Sequence, residues 1–324
     1  MPDKTGQQIV SELKDKSQKF RLQVLEMAVK AKSGHVTTAF SQMKMLVALY
    51  YGGVLRVDPN NPKWPERDRF ILSKGQGGIG TYPVLADKGF FPLEWLDNFT
   101  KPGSVLGVHA EWNIPGVELL TGSLGHGLPM ATGMALHLLQ KYGNDAPLVV
   151  CLLGDGEHHE GSNWEAMLFA SHYNLSNLIC IVDRNKQSTL GFHDGASDFC
   201  DPTYHKDGPC LNPLDDKYTA FGFEVRTIQD GHNFNNILPS FSGIRMRVAE
   251  GRSPLCIISK TSKGRGTTIT ENQRLWHYRV PDANDYAVMK NELAMGLEEF
   301  DKYKASINYQ PLPWKKDALK EEGE

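Results

Sequence analysis

The 324-residue chain has no apolar run long enough to span a bilayer. Its opening, MPDKTGQQIV, lacks the basic-then-apolar pattern of a secretory leader. The five cysteines are odd in number and form no CxxC pair, which argues against a disulfide framework. Cys151, Cys180 and Cys256 each sit in an apolar, strand-like run and read as buried reduced thiols. There is no excess of basic charge: 35 Lys and Arg stand against 38 Asp and Glu, for a net charge of −3. The bases form no stripe, so a nucleic-acid partner is not expected. No internal repeat is visible. These absences predict a soluble, cytoplasmic protein large enough to bury a sizeable core.

What is present is an alternation of helix-like and strand-like segments. Ile9, Leu13, Phe20, Val24, Met27 and Ala28 recur at three- and four-residue intervals, predicting a helix over 6–32. A Gly34-His35 turn leads into a second helix. Strands are expected at 69–73, 148–153, 178–182, 223–228 and 255–261. Helices are expected at 127–142, 163–172, near Lys217, over 235–250 and over 283–304, with a loop from 185 to 214. Strands separated by helices imply βαβ units and a parallel sheet with helices on both faces. The expected organisation is one α/β domain over 1–306 followed by a charged tail over 307–324.

The stretch from Leu148 to Ser188 carries the chemistry. Two apolar runs each end abruptly, in Gly154-Asp155-Gly156 and in Asp183-Arg184-Asn185. Asn185 follows Asp155 by 30 residues, about the length of one βαβ unit. Both side chains are therefore expected at the carboxyl rim of the sheet, where ligands of open parallel sheets sit. A carboxylate, an amide oxygen and a nearby carbonyl are hard donors suited to Mg²⁺ or Ca²⁺, which take further ligands from phosphates and water. Gly156 leaves room for its N–H to approach a phosphate oxygen, helped by the helix that follows. The pattern reads as a metal-bridged diphosphate site. Each turn taken singly is an ordinary strand ending.

This stretch, GDGEHHEGSNWEAMLFASHYNLSNLICIVDRNKQS, resembles the thiamine diphosphate motif of the transketolases. AKSGHVTTAFS, DPNNPKWPERDRFILSKGQG, PGVELLTGSLGHGLPMATGMAL, FGFEVRTIQDGHN and KTSKGRG…WH are similar to further segments of that family, in family order, over roughly residues 10–280. The resemblance implies thiamine diphosphate and Mg²⁺ (or Ca²⁺) as cofactors. Asp155, Asn185 and the carbonyl of Gln187 would hold the metal. Gly156 would face the diphosphate, with Glu157, Asn185 and Gln76 also on the cofactor, and Gly122, Ser123 and Leu124 lining it. His35 would reach the substrate, and Glu160 would join a carboxylate network across a dimer. Lys260, Arg265 and His277 would face diphosphate or substrate.

The chain departs from the family at Gln76, where a His is usual, at Val108 with His109 one place along, and at His126 for the usual Gln. The usual Pro and Gly after the SGH motif are also missing. Gln76 still donates a hydrogen bond, but it carries no charge for acid–base work. The adjacent His158-His159 pair is expected at a surface or interface, because neighbouring side chains diverge. Cys200, His205 and Cys210 supply only three zinc ligands and fit no standard zinc pattern. The family needs a second domain that binds the aminopyrimidine and supplies an activating Glu, expected here on a separate transketolase-like C-terminal subunit in an α2β2 assembly. The activity implied is transfer of a two-carbon ketol unit from a sugar or sugar-phosphate ketose to an aldehyde. Alternatives are a 2-oxo acid dehydrogenase-like component passing an acyl unit to a lipoyl or carrier thiol, and a non-catalytic binding subunit.

Overall fold

The computed structural model describes residues 5–188, 191–192 and 211–309. Helix α1 (Gly6–Ala31) opens on a capping box, in which Thr5 Oγ1 accepts from the Gln8 N–H and the Thr5 N–H donates to Gln8 Oε1. Helix α2 (Val36–Tyr51) is buried at all but its last residue, so it reads as a central helix with no solvent face. Strand β1 (Arg69–Leu72) and helix α3 (Gly78–Lys88) follow, then α4 (Gly127–Tyr142), β2 (Val149–Gly154), α5 (Gly161–His172) and β3 (Leu178–Arg184). A short antiparallel ladder, β4 (Gln187–Ser188) with β5 (Gly191–Phe192), precedes α6 (Leu214–Ala220) and β6 (Glu224–Ile228). Then come α7 (Phe234–Ile237), α8 (Ile244–Ala249), β7 (Leu255–Lys260), α9 (Ala283–Met295) and α10 (Leu297–Ser306).

The main sheet has the order β1-β2-β3-β7-β6, with every pairing parallel. Alternation along the central strands divides the interior into two layers. Val150, Leu152, Ile179, Ile181, Leu255 and Ile257 pack with α1, α2 and α3. The intervening residues, among them Val149, Leu153 and Val182, pack with α4, α5 and α6. Cys151, Cys180 and Cys256 stand in register on this second face, free and buried. The α/β class with a parallel sheet and helices on both faces follows directly. Among the described residues no helix is long and apolar enough to cross a membrane.

Two expectations need correction, and one helix was not expected. The segment 235–250 is not one helix: Pro239 and the left-handed Gly243 divide it into α7, a 3-10 turn and α8. The helix over 283–304 is broken at Gly296, also at positive φ. Helix α3 was hidden by its three glycine-rich starting residues and the internal Pro83. Cys200, His205 and Cys210 lie outside the described residues, as does the tail from 310. Tyr309 itself folds back to donate to the carbonyl of Thr268 at 2.7 Å.

At the amino rim, the buried Asp68 joins the first two strands. It accepts from the Leu148 N–H at 2.8 Å, from the Arg56 N–H at 2.6 Å and from Arg245 Nη1 at 2.7 Å. Asp68→Ala would leave these donors unpaired, and we expect a loss of about 3 kcal/mol of stability. Urea unfolding measures this, and an unchanged midpoint would contradict that role for Asp68.

Candidate functional site at the carboxyl rim

Register places the ends of β2 and β3 side by side, with Gly154 opposite Asp183. Asp155 follows immediately and is buried. Its Oδ1 accepts from the Gly156 N–H at 2.9 Å, and its Oδ2 accepts from the Lys186 N–H at 2.5 Å and from Arg184 Nη1 at 3.2 Å. The bond from Lys186 folds the 185–187 turn onto the carboxylate, with Lys186 in the left-handed region. Within that turn Asn185 Oδ1 accepts from the Gln187 N–H at 3.1 Å. Burial pushes the Asp155 carboxyl up to about 6, opposed by Arg184 and reinforced by Asp183. A desolvated carboxylate beside a second one, with an amide oxygen on the adjoining turn, is the environment a hard dication relieves. Among the described residues no cluster of three His, Cys, Asp or Glu side chains could hold a metal. A cation at this rim would therefore draw on amide and carbonyl oxygens.

Asp183 is the buried centre of the rim. It pairs with Lys74 from the end of β1 and accepts from Ser41 Oγ of α2 at 2.6 Å. It also accepts from Thr261 Oγ1 beyond β7 and from Asn185 Nδ2 at 3.1 Å. Burial alone would raise its carboxyl, but Lys74 and the hydroxyl donors outweigh it and hold the group below its ordinary value. Lys74 and Lys263 were both missed by sequence reasoning as site residues. Lys263 is buried, and its Nζ lies 2.5 Å from His277 Nδ1. Desolvation brings this lysine down to about 8, against the attraction of Asp155 and Asp183.

The imidazoles form the second half of the site. His35 is the N-cap of α2, but its side chain makes no capping hydrogen bond. Its ring lies 5.6 Å from His277, 6.4 Å from His109 and 4.5 Å from Tyr278 between centroids. Its Nδ1 is buried without a hydrogen-bond partner. Burial, His109 and Lys263 lower His35 to about 4, and burial, Lys263 and His35 lower His277 to about 3. Both rings are neutral at physiological pH. Thr37 Oγ1 donates to the Trp276 carbonyl at 2.9 Å, and the Gly264 N–H donates to the Thr37 carbonyl at 3.1 Å. The residues that replace the usual Pro and Gly after SGH thus fasten α2 to the loop bearing Lys263 and His277. His109 packs under Gly122, where a Cβ would meet its Cδ2 at 2.9 Å. The ring displaced by one residue from the family position still faces this cluster.

The remaining candidates divide. Gly122 and Ser123 border a cleft with His109 and His126, Leu124 is half-buried next to them in the chain but does not line it, and Gln76 lies half-buried on a 3-10 turn. That turn is pressed on this loop, because a Cβ on Gly75 would strike the Thr121 carbonyl at 2.3 Å. Gly156 opens the 3-10 turn after Asp155. Glu157, expected on the cofactor, turns into the protein: it accepts from Ser73 Oγ, from the Gly125 N–H at 2.9 Å and from the Gly154 N–H at 3.2 Å. Its carboxylate binds the TGSLG loop to the GDG turn. Glu160 is exposed before α5. Lys260 is exposed and donates to Gln229 Oε1 at 2.8 Å, so the lysine of the KGRG motif that enters the site is Lys263. Arg265 pairs with Glu271 and Asp301 on the far side of its loop. His158 is buried rather than at a surface, with Nε2 2.8 Å from the Tyr218 hydroxyl.

Residues 14–310 match the family described as transketolase, thiamine diphosphate binding domain. An apulose-4-phosphate transketolase subunit from Actinobacillus succinogenes is 38% identical over 284 residues, covering 87% of this chain and 96% of that protein. A 6-deoxy-6-sulfo-D-fructose transketolase subunit from a Clostridium species is 38% identical over 267 residues, covering 82% of this chain and 90% of its own. Human transketolase is 37% identical over 275 residues, which are 85% of this chain but 41% of the human one. The crystal structure of Campylobacter jejuni transketolase superposes with a TM-score of 0.76 at 25% identity, covering 96% of this chain and 50% of that chain. With a parallel α/β sheet, a GDG turn and an asparagine turn closed on one another at its rim, the chain belongs to the transketolase family, as its thiamine diphosphate binding domain.

Proposed function

We propose that this chain is the diphosphate-binding subunit of a cytoplasmic two-subunit transketolase, which moves a two-carbon ketol unit from a ketose to an aldehyde. The observation that carries this reading is the closure of the Asn185–Gln187 turn onto Asp155 through the Lys186 N–H. Support for a separate partner comes from the relatives named as transketolase subunits, which match this chain over nearly their whole length. Those relatives favour ketol transfer over the acyl-transfer alternative.

The donor set fits a hard dication such as Mg²⁺. Asp155, the amide oxygen of Asn185 and the Gln187 carbonyl would hold it, and Gly156 would present its N–H to the diphosphate. Thiamine diphosphate, when bound, supplies the electron sink for cleaving the bond next to a carbonyl. This chain's residues position and neutralise. Lys74 and Lys263 balance the two rim carboxylates. Lys263 donates to His277 Nδ1, which fixes that ring's tautomer. Neutral His35, with a free Nδ1, is the group placed to exchange a hydrogen bond or proton with a substrate hydroxyl or carbonyl. His109 would take the polar role that Val108 leaves vacant.

The partner would meet the face made by α4 and α5. Leu168, Phe169 and Tyr173 are exposed there, Gly133 opens to solvent, and Glu160 lies at its edge. An apolar patch of this kind marks an interface, and twofold closure would give an α2β2 assembly.

Asp155→Ala should abolish Mg²⁺-dependent thiamine diphosphate binding while leaving the fold intact. Calorimetry on the complex with the partner subunit tests this, and unchanged affinity would remove Asp155 from the site. His35→Ala should lower turnover roughly 10²-fold with cofactor affinity retained; full turnover would make the ring dispensable.

The two neutral imidazoles set a pH dependence. Their folded values lie below the unfolded value of about 6.5, so the unfolded chain binds more protons between them. Their stability contribution is complete above about pH 6.5 and is lost as pH falls through the folded values near 4 and 3. Denaturation midpoints should therefore fall less between pH 7 and pH 5 in His35→Gln than in the wild type. Parallel curves would show that His35 is not held neutral by the fold.

A further inference from the structure

Away from the carboxyl rim, α1, α2, the glycine turn at Gly266 and the α9–α10 junction enclose a cavity of about 190 Å³. Two basic side chains from adjacent helices line it, Arg21 of α1 and Lys44 of α2, and both are more than nine-tenths buried. Neither forms an ion pair among the described residues. Arg21 Nη1 donates to the Arg265 carbonyl at 3.0 Å and Nη2 to the Phe40 carbonyl at 2.9 Å, while its Nε is buried with no hydrogen bond at all. Among the described residues Lys44 Nζ donates only to the His232 carbonyl.

Burying two positive charges with neutral acceptors alone is costly, since each loses its hydration shell without gaining a counter-charge. Desolvation, with repulsion from Arg265, brings Arg21 down to about 9. Desolvation, with repulsion from Arg21, brings Lys44 down to about 7. Carboxylates lie close by, with Asp15, Glu292 and Glu298 in the lining and Asp230 attracting Lys44, but among the described residues none forms an ion pair with Arg21 or Lys44. Glu292 spends its oxygens on the N–H and hydroxyl of Thr268, at 2.8 and 2.7 Å. Glu298 is exposed at the mouth and paired with Lys14. Glu271 is engaged by Arg265 and Lys304. The wall at Gly266 is backbone at positive φ, where a Cβ would meet Arg21 Nη1 at 2.8 Å, so the glycine keeps the guanidinium in place.

We propose that this cavity is a binding site for a small oxyanion, phosphate or a carboxylate, held by Arg21 and Lys44. Its volume of about 190 Å³ is roughly tenfold the ~15 Å³ of such space that one water needs, so a tetrahedral oxyanion fits. The anion would supply the missing counter-charge and offer an acceptor to Arg21 Nε. Because Arg21 also holds the 264–266 turn and α2, occupancy would brace the segments that carry Lys263 and His35.

The test uses the full chain and inorganic phosphate, with sodium acetate as the carboxylate probe and sodium chloride as the ionic-strength control. Thermal unfolding of the wild type should show a saturable rise in Tm with phosphate or acetate beyond that with chloride. Lys44→Met should weaken the response about tenfold or more, the expected loss for one charge-assisted hydrogen bond. Lys263→Met, at the carboxyl rim, should retain it. Loss in Lys263→Met with retention in Lys44→Met would place the anion at the diphosphate site and overturn the proposal, as would no response in the wild type. Should Lys44→Met not fold, crystals of the wild type soaked in selenate decide. An anomalous peak within hydrogen-bond reach of Arg21 and Lys44 supports the site, and a cavity without one overturns it.

Discussion

The carboxyl rim depends on a carboxylate that water does not reach. Asp183 is buried at the end of β3, and every bond it makes comes from a different part of the chain: Lys74 after β1, Ser41 in α2, Thr261 after β7 and Asn185 on its own turn. A buried charge must be paired and fully hydrogen-bonded or it destabilises the fold. Satisfying Asp183 therefore fixes where β1, α2, β7 and the 185–187 turn stand relative to one another. Asp155 inherits its surroundings from that arrangement, because the same turn that gives Asn185 to Asp183 gives the Lys186 N–H to Asp155.

From there the architecture divides labour by charge. The two carboxylates draw Lys74 and Lys263 into the interior, and Lys263 passes the constraint on to His277 and, through ring contact, to His35. The rings stay neutral because burial and a neighbouring cation both oppose protonation. The site thus has an anionic half suited to a metal and diphosphate, and a neutral, polar half suited to a sugar. Glu157 ties the halves together by clamping the TGSLG loop to the GDG turn.

Much of this was legible in the sequence where local pattern and chemistry coincide. The five-strand parallel sheet follows from apolar runs spaced by helices, and the placing of Asp155 and the Asn185 turn at one rim follows from one crossover length. Other features depend on tertiary partners that no local pattern reports. Lys260 and Lys263 flank the same strand end, and only the exposed outward course of the last β7 residue shows that the second of them enters the site. Glu157 looks like a ligand residue beside Gly156, yet its oxygens are consumed by Ser73, Gly125 and Gly154. His109 looked displaced from its family position, but Gly122 makes room for its ring against the same cluster. The continuous helices expected over 235–250 and 283–304 are broken at Pro239 and Gly243 and at Gly296, the two glycines standing at positive φ.

The central claim is that a metal bridges this rim to a diphosphate. Electron–nuclear double resonance on the chain and its partner subunit, loaded with Mn²⁺ in place of Mg²⁺ and with thiamine diphosphate, tests it directly. The account predicts phosphorus-31 hyperfine coupling to the manganese, together with nitrogen or carbon couplings from protein ligands rather than a fully hydrated ion. A protein-bound manganese without phosphorus coupling would contradict it.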